Sequence, residues 1–451
     1  MSALPEKKEL PPRNPLSLPP LHLAEDLQKV MEATEKIFPV PRARRSDLPP
    51  SIRDLSRLLT RERAALARPY WAWSRFCAAY LYYFLPWNIY RLSRLLPGLD
   101  LKLRPGTRIL DLGSGPLTLP LALWCARRET REIPLEFICC DKSKLPLELG
   151  AGILQEITGT ASPWSIHLRH TPRELFPPVE AREKPHLITA INVLNESSWK
   201  SGTERDKNLR AALGEATKKA SLLLAPGGGF FVLEPGTRLG GKTLALLRKE
   251  AAGKGFRPLS PCTHAAPCPF LNPKGARGSA AQKRPETEQN TPERVRGGPS
   301  GWCHFISTVG DLPPELARIS TLAGLEKKRL SLSFLHLERM QDGQRVDGQT
   351  PSRERQGGEN ISRQLQIGKS PGLTPLSENA ALEARVISDP IRLPDFRGSA
   401  RYACSRTGLV LLTDAERLPH GSLARVLPLR DARGRQAIDG KSGLPLCVAS
   451  S

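Results

Sequence analysis

Two groups of residues in this 451-residue chain have the types and spacing to do chemistry. The first is Asp111-Leu-Gly113-Ser-Gly115, an acidic residue and two closely spaced glycines between an apolar run and a helix-length segment. Glycine has no Cβ, so the backbone can turn tightly there and come close to a ligand. After the next apolar run comes Cys139-Cys140-Asp141, a carboxylate placed at a strand's carboxyl end to accept hydrogen bonds from ribose hydroxyls. Ligands of an open parallel sheet bind beyond the carboxyl ends of its strands. Asp111, Gly113, Gly115, Asp141 and Asn192, which ends the fourth strand, therefore form the candidate cofactor site. A tight turn that binds nothing is the plain alternative.

The second group is sulfur. Cys262 and Cys268 lie in one proline-bounded loop, Cys303 opens Cys303-His304-Phe305, and Cys404 precedes a strand. Four soft thiolates suit an iron–sulfur cluster or tetrahedral zinc, whereas oxygen-preferring ions would use carboxylates. The spacing of Cys262 and Cys268 matches neither a zinc finger nor a ferredoxin run, and His264 and His304 keep zinc open. Scattered buried thiols are the bland reading. Cys77, Cys125, Cys139 and Cys140 read as core, and Cys447 as a poorer ligand in a polar tail. Nine cysteines behind an N-terminus with no apolar secretion signal argue against a disulfide framework.

These residues need elements to hold them. Thr107–Leu112, Leu135–Cys140, Ser165–Arg169, His186–Ile191 and Gly229–Leu233 read as strands, with helices over Leu117–Arg127, Leu145–Ile157 and Lys207–Leu224. Strands separated by helix-length segments make a parallel, doubly wound α/β sheet, here over residues 101–255. Residues 1–50 are Pro-rich and partly disordered, with one helix at Ala24–Ile37. Residues 51–100 read as a helical module capped by Ser51. From Arg53 to Arg94 it carries eight arginines against Asp54 and Glu62, and ten aromatics lie between Tyr70 and Tyr90. Residues 256–310 are the cysteine-rich segment, interrupted by a polar insertion, 272–300, too poor in apolar residues to fold. Residues 311–413 return to the sheet domain: a helix at Leu312–Leu325, a strand at Arg329–Leu337, a second polar insertion at 341–378, and short strands at Ala384–Ser388 and Gly408–Leu412. Residues 414–451 read as a mobile basic tail.

Charge points to a partner. Lys and Arg number 67 against 45 Asp and Glu, a balance of +22 that fits a surface facing nucleic acid. Arginines beside aromatics can grip phosphates and stack on unpaired bases. In the helical module the arginines are expected to touch RNA, while the aromatics, at helical spacing, pack inward. No apolar run reaches the roughly 18 residues a membrane helix needs, so no membrane role is expected.

The Asp111-x-Gly113-x-Gly115 form resembles the first motif of class I S-adenosylmethionine-dependent methyltransferases, with Leu117 where a third glycine commonly lies. Leu187–Glu196, Glu234-Pro-Gly-Thr237, Cys262 to Cys268-Pro, Cys303-His-Phe305, Arg385–Pro390 and Cys404 then occur in the order of one group. They resemble the methyltransferase-like proteins of the mitochondrial small ribosomal subunit and their bacterial relatives, over roughly Pro50–Leu412. The resemblance implies a class I methyltransferase (Rossmann-like) fold that binds S-adenosylmethionine. It also implies a [4Fe–4S] cluster on Cys262, Cys268, Cys303 and Cys404, and an association with the small ribosomal subunit and its RNA. The implied location is the bacterial cytoplasm or, in a eukaryote, the mitochondrial matrix. After the fourth strand stands Asn192-Val-Leu-Asn195 rather than the Asp/Asn-Pro-Pro-Tyr/Phe of N6-adenine methylation, and no cysteine sits in a 5-methylcytosine nucleophile context. No catalytic residue is assigned. A non-catalytic RNA-binding assembly factor with a structural metal is the alternative, and a small-molecule methyltransferase the second.

Overall fold

The computed structural model describes residues 14–16, 18–60, 69–178, 184–194, 204–271, 301–341, 374–375, 381–393 and 399–450. The insertion at 272–300, most of that at 341–378, Asn195 and the arginines at 61, 63 and 68 lie outside the described residues. Apolar residues at helical spacing make α1 (Leu23–Ile37) amphipathic, with Leu23, Leu27, Val30 and Met31 buried. The same helix buries Asp26, whose carboxylate is gripped by Arg128 at 2.9 Å and Arg131 at 2.5 Å. A buried charge persists only with such partners.

Ser51 is not a cap. The second helix, α2 (Leu48–Thr60), starts earlier because Pro49 and Pro50 fit its first turn, where a missing N–H breaks no helical bond, and Ser51 is buried within it. The third, α3 (Ser74–Ala79), continues through a π-helical turn at Tyr80–Phe84 into α4 (Leu85–Ser93). Trp71, Phe76, Tyr83, Trp87 and Tyr90 are buried in the core, Tyr70, Tyr80, Tyr82 and Phe84 pack against it half-buried, and Trp73 is exposed. Among the described arginines of this module, Arg53, Arg57 and Arg75 are exposed and Arg94 is buried.

The sheet follows from near-continuous apolar runs, the pattern of strands covered on both faces. Its strands are β1 (Thr107–Leu112), β2 (Leu135–Asp141), β3 (Ser165–His170), β4 (Leu187–Ile191), β5 (Gly229–Pro235), β6 (Phe256–Ser260), β7 (Phe305–Thr308) and β8 (Arg329–Arg339). The order is β3-β2-β1-β4-β5-β8-β6, with β7 also on β8. Strands β1 to β5 are parallel to their neighbours in that set, and β8 runs antiparallel to β5, β6 and β7. Side chains alternate between two cores: Ile109, Phe137, Leu187 and Phe231 belong to one, Leu110, Ile138, Ile188 and Phe230 to the other. Around them stand α5 (Thr118–Ala126), α6 (Lys144–Thr158), α7 (Glu204–Leu223), α8 (Arg238–Ala252) and α9 (Pro314–Leu322). The sheet does not end near residue 255, since β6 and β7 flank the cysteine segment and are sheet strands themselves.

The largest correction concerns the C-terminal part. The strands after β8 leave the main sheet and form a second one from β9 (Thr374–Pro375), β10 (Leu382–Val386), β11 (Ile391–Arg392), β12 (Ser399–Ser405), β13 (Gly408–Thr413), β14 (Leu423–Arg430) and β15 (Leu446–Ala449). Because β10 pairs with both β12 and β14, this sheet closes on itself as a barrel. The expected mobile tail is therefore half of a folded unit, and Cys447 fills its interior with Val386, Ala403, Val410 and Val426. Its strands are short, and a polar loop rich in arginine and glycine separates the last two, so composition masks their alternation.

Candidate functional site

After β1 the chain turns through Gly113 (φ +63°) and Gly115 (φ +54°) into α5. A Cβ on Gly113 would lie 2.5 Å from Val193 Cγ2, so glycine lets the residues after β4 close onto the turn. Above Gly115 nothing stands within 4 Å of the corresponding position, which leaves room for a ligand. Leu117 adopts the left-handed φ of +52° itself, and its side chain lies in the core. From below, α6 packs its backbone against the turn at Gly150, where a Cβ would stand 2.3 Å from the carbonyl carbon of Pro116.

Since β1 pairs in parallel with both β2 and β4, three carboxyl ends lie side by side and gather the expected residues. Asp141 Oδ2 accepts the Gly115 N–H at 3.0 Å, and Oδ1 accepts that of Ser143 at 2.8 Å. Asp111 is buried. One of its oxygens accepts from Ser114 Oγ at 2.5 Å and the other from Thr189 Oγ1 at 2.6 Å. Burial pushes its carboxyl up to about 6, against the pull of those two hydroxyls. Asp111 thus braces the turn against β4, while Asp141 stands at the rim. Asn192 sits in the left-handed region (φ +57°) with its N–H on Leu233 O, and its buried Oδ1 has no hydrogen-bond partner among the described residues. A buried amide oxygen in that state costs about 1–3 kcal/mol unless something else supplies a donor.

Sequence reasoning singled out Glu234 only as part of a motif. It is fully buried at the end of β5 and accepts the Leu194 N–H at 2.9 Å, so it shapes the same rim from the next strand. The run Glu234-Pro-Gly-Thr237 was the available signal, and Thr237 caps α8 by accepting from the Gly240 N–H at 3.2 Å.

The four cysteines come from three places: the loop after β6, the residue pair before β7, and β12 of the barrel. Burial pushes the Cys303 thiol well up, and Cys262, Cys404 and Cys268 all act on it in the same direction. Burial likewise raises Cys404 and Cys268. Cys404 Sγ lies 3.6 Å from His264 Nε2. Two arginines hold the loop by its carbonyls. Arg248 donates to His264 O at 2.7 Å and Ala266 O at 2.6 Å, and Arg385 to Pro261 O at 2.6 Å. Among the described residues no three His, Cys, Asp or Glu side chains are arranged to hold a metal ion. The four thiols are half-buried and near enough to act on one another electrostatically. Cys77, Cys125, Cys139 and Cys140 are buried away from it, as core.

The strand order and the glycine turn define a doubly wound, largely parallel α/β sheet. No protein-family model matches the chain, and no curated protein matches it. Among solved structures it is similar to a Listeria monocytogenes protein described as a class I S-adenosylmethionine-dependent methyltransferase. That likeness has a TM-score of 0.35 and 12% identity, over 72% of this chain and 91% of that one. A methyltransferase from Pyrococcus furiosus gives 0.26 and 15%, over 35% and 68% of the two chains. TrmN from Thermus thermophilus gives 0.24 and 22%, over 35% of this chain and 40% of that one. At such scores the residue-level reading rests on the geometry described above.

Proposed function

We propose that this protein binds S-adenosylmethionine at the carboxyl ends of β1, β2 and β4, carries a [4Fe–4S] cluster, and acts on small-subunit ribosomal RNA or in assembly of that subunit. The observation that carries the cofactor reading is the buried Asn192 Oδ1, without a partner among the described residues, next to an open Gly115 turn and the Asp141 carboxylate. Asp141 would hold the ribose hydroxyls, the turn would admit the amino-acid portion, and Asn192 would accept a donor from the ligand. When bound, the cofactor supplies an electrophilic methyl group. Transfer itself has no assigned base, so a non-catalytic assembly factor with the same pocket is distinguished only by turnover.

Cys262, Cys268, Cys303 and Cys404 would hold the cluster. The preference for a cluster over zinc rests on the resemblance of the cysteine motifs, since four thiolates suit either group. Thiols driven up by burial give up their protons to a metal, so loading would release protons and order the loop. The net charge of +22 and the exposed Arg53 and Arg57 support an RNA partner.

Isothermal titration of ligand-free protein with S-adenosylmethionine tests the pocket. Binding should weaken about 5- to 150-fold in Asp141→Asn, the scale of 1–3 kcal/mol for a hydrogen bond to a charged acceptor. Wild-type protein that binds neither S-adenosylmethionine nor its demethylated product would sink the reading. Anaerobic purification should give a broad absorbance near ~400 nm that Cys303→Ser removes and Cys139→Ser keeps. Stoichiometric zinc without iron or acid-labile sulfide would replace the cluster.

A further inference from the structure

The barrel has a recognisable architecture. Its closed path is β10-β12-β13-β15-β14 and back to β10, and all neighbours are antiparallel except β13 and β15. A closed five-stranded Greek-key barrel is the OB architecture, whose ligands are oligonucleotides and oligosaccharides. Small side chains such as Ala384, Ala403 and Val410 fill the interior, so a ligand must lie outside.

The usual platform, the outer face of the second and third strands, is occupied. On β12 and β13, Ala400, Leu409 and Leu411 are buried in the main core, and Cys404 faces His264. What remains is the rim formed by the turn after β12 and the loop between β14 and β15. Register puts both at one end of the barrel: Ser405 pairs with Gly408 at the turn, and β15 enters beside β13 with Leu446 opposite Leu411.

This rim is of one sign. Arg406, Arg430, Arg433, Arg435 and Lys441 are exposed, whereas Asp439 is buried and Asp431 is half-buried against Arg435. The loop is also braced by its own polar groups. Asp431 Oδ1 accepts the backbone N–H groups of Arg433 at 2.9 Å and Arg435 at 3.0 Å, and Asp439 accepts that of Ser442 at 2.7 Å. Bridges Arg430–Gln436 and Ile438–Pro445 close it into two successive tight turns. An exposed cationic edge braced by its own hydrogen bonds is suited to a polyanion, because such bracing limits the conformational entropy lost on binding.

We propose that this rim binds the sugar–phosphate backbone of single-stranded RNA, a second RNA contact separate from the arginines of α2. It rests on the RNA reading above and adds where and in what form the RNA is held. The test uses the full-length protein and a fluorescent oligouridine of about 16 nucleotides, enough for one OB barrel, titrated by anisotropy across a salt series. Replacing Arg406, Arg433 and Lys441 together by glutamine should lower the log–log salt slope by about 2, at ~0.7 per lost phosphate contact. Replacing Arg406 and Arg433 by lysine, which keeps the charge, should preserve the slope. The pair Arg53→Gln and Arg57→Gln separates the two readings. If that pair weakens binding while the triple variant binds like wild type, the rim is overturned and the RNA association stands. If wild-type protein binds no RNA, both fall. An equal preference for duplex RNA overturns the single-strand assignment.

Discussion

Asp111 is the least comfortable charge in the sheet. It is buried, and a pair of hydroxyls only partly offsets the burial that raises its carboxyl to about 6. The unfolded chain would hold the same group near its ordinary 3.8, so folding favours the protonated form between those values. The sign follows: the group costs stability fully above about pH 6, and that cost disappears as pH falls below about 4. At ~1.4 kcal/mol per pKa unit this amounts to about 3 kcal/mol. Urea unfolding of wild type and Asp111→Asn, compared at pH 7 and pH 4, should show wild type gaining 2–3 kcal/mol relative to the variant on acidification. A difference that stays constant across that range would mean that Asp111 titrates as an ordinary carboxylate and that its environment has been misread.

Among the elements, those with long regular patterns were legible and those defined by closure were not. The strands β1, β2, β4 and β5 were visible as apolar runs, and their carboxyl ends followed from parallel pairing, so Asp141 and Asn192 could be placed at one rim from the sequence. The barrel was not visible, because strands such as Leu446–Ala449 are too short to show a period and its closure is a property of pairing. The role of Gly150 was hidden for the same reason, since a glycine in a helix looks like a weak point until its neighbour is known. Gly150→Ala decides between two effects. Alanine improves helix propensity by about 1 kcal/mol, but its Cβ would meet the backbone of Pro116 at 2.3 Å, and overpacking against backbone costs about 1–3 kcal/mol. The expected result is net destabilisation in urea together with weaker S-adenosylmethionine binding, as the turn is pushed out of place. An unchanged or raised midpoint would show that α6 moves away freely.

On the scale of the whole molecule, three units share one apolar core, and a few polar links fix how they meet. The aromatic helices are joined to the segment around α9 by Tyr83 OH on Leu325 O at 2.6 Å and Trp87 Nε1 on Ser320 Oγ at 3.2 Å. Gly310 N–H donates to Tyr90 OH at 2.7 Å in the same region. The barrel is joined to the cysteine loop by Arg385, on β10, whose Nε donates to Pro261 O at 2.6 Å while another guanidinium nitrogen donates to Gly421 O at 2.8 Å. One side chain thus ties the start of the cysteine loop to the barrel that delivers Cys404. Arg385→Met keeps most of the apolar stem but leaves two buried carbonyls without that donor, a cost of about 1–3 kcal/mol for each. The loss should be local, because β1 to β5 make no bond to Arg385 in the described hydrogen bonds. Hydrogen exchange should therefore quicken in residues 261–271 and in β10, β12 and β14, with β1, β2 and β4 protected as in wild type. The variant's thermal transition should also split into a low step and a step near the wild-type midpoint. A single transition shifted as a whole, with faster exchange throughout the sheet, would mean that barrel and sheet unfold as one unit and that Arg385 is an ordinary core contact.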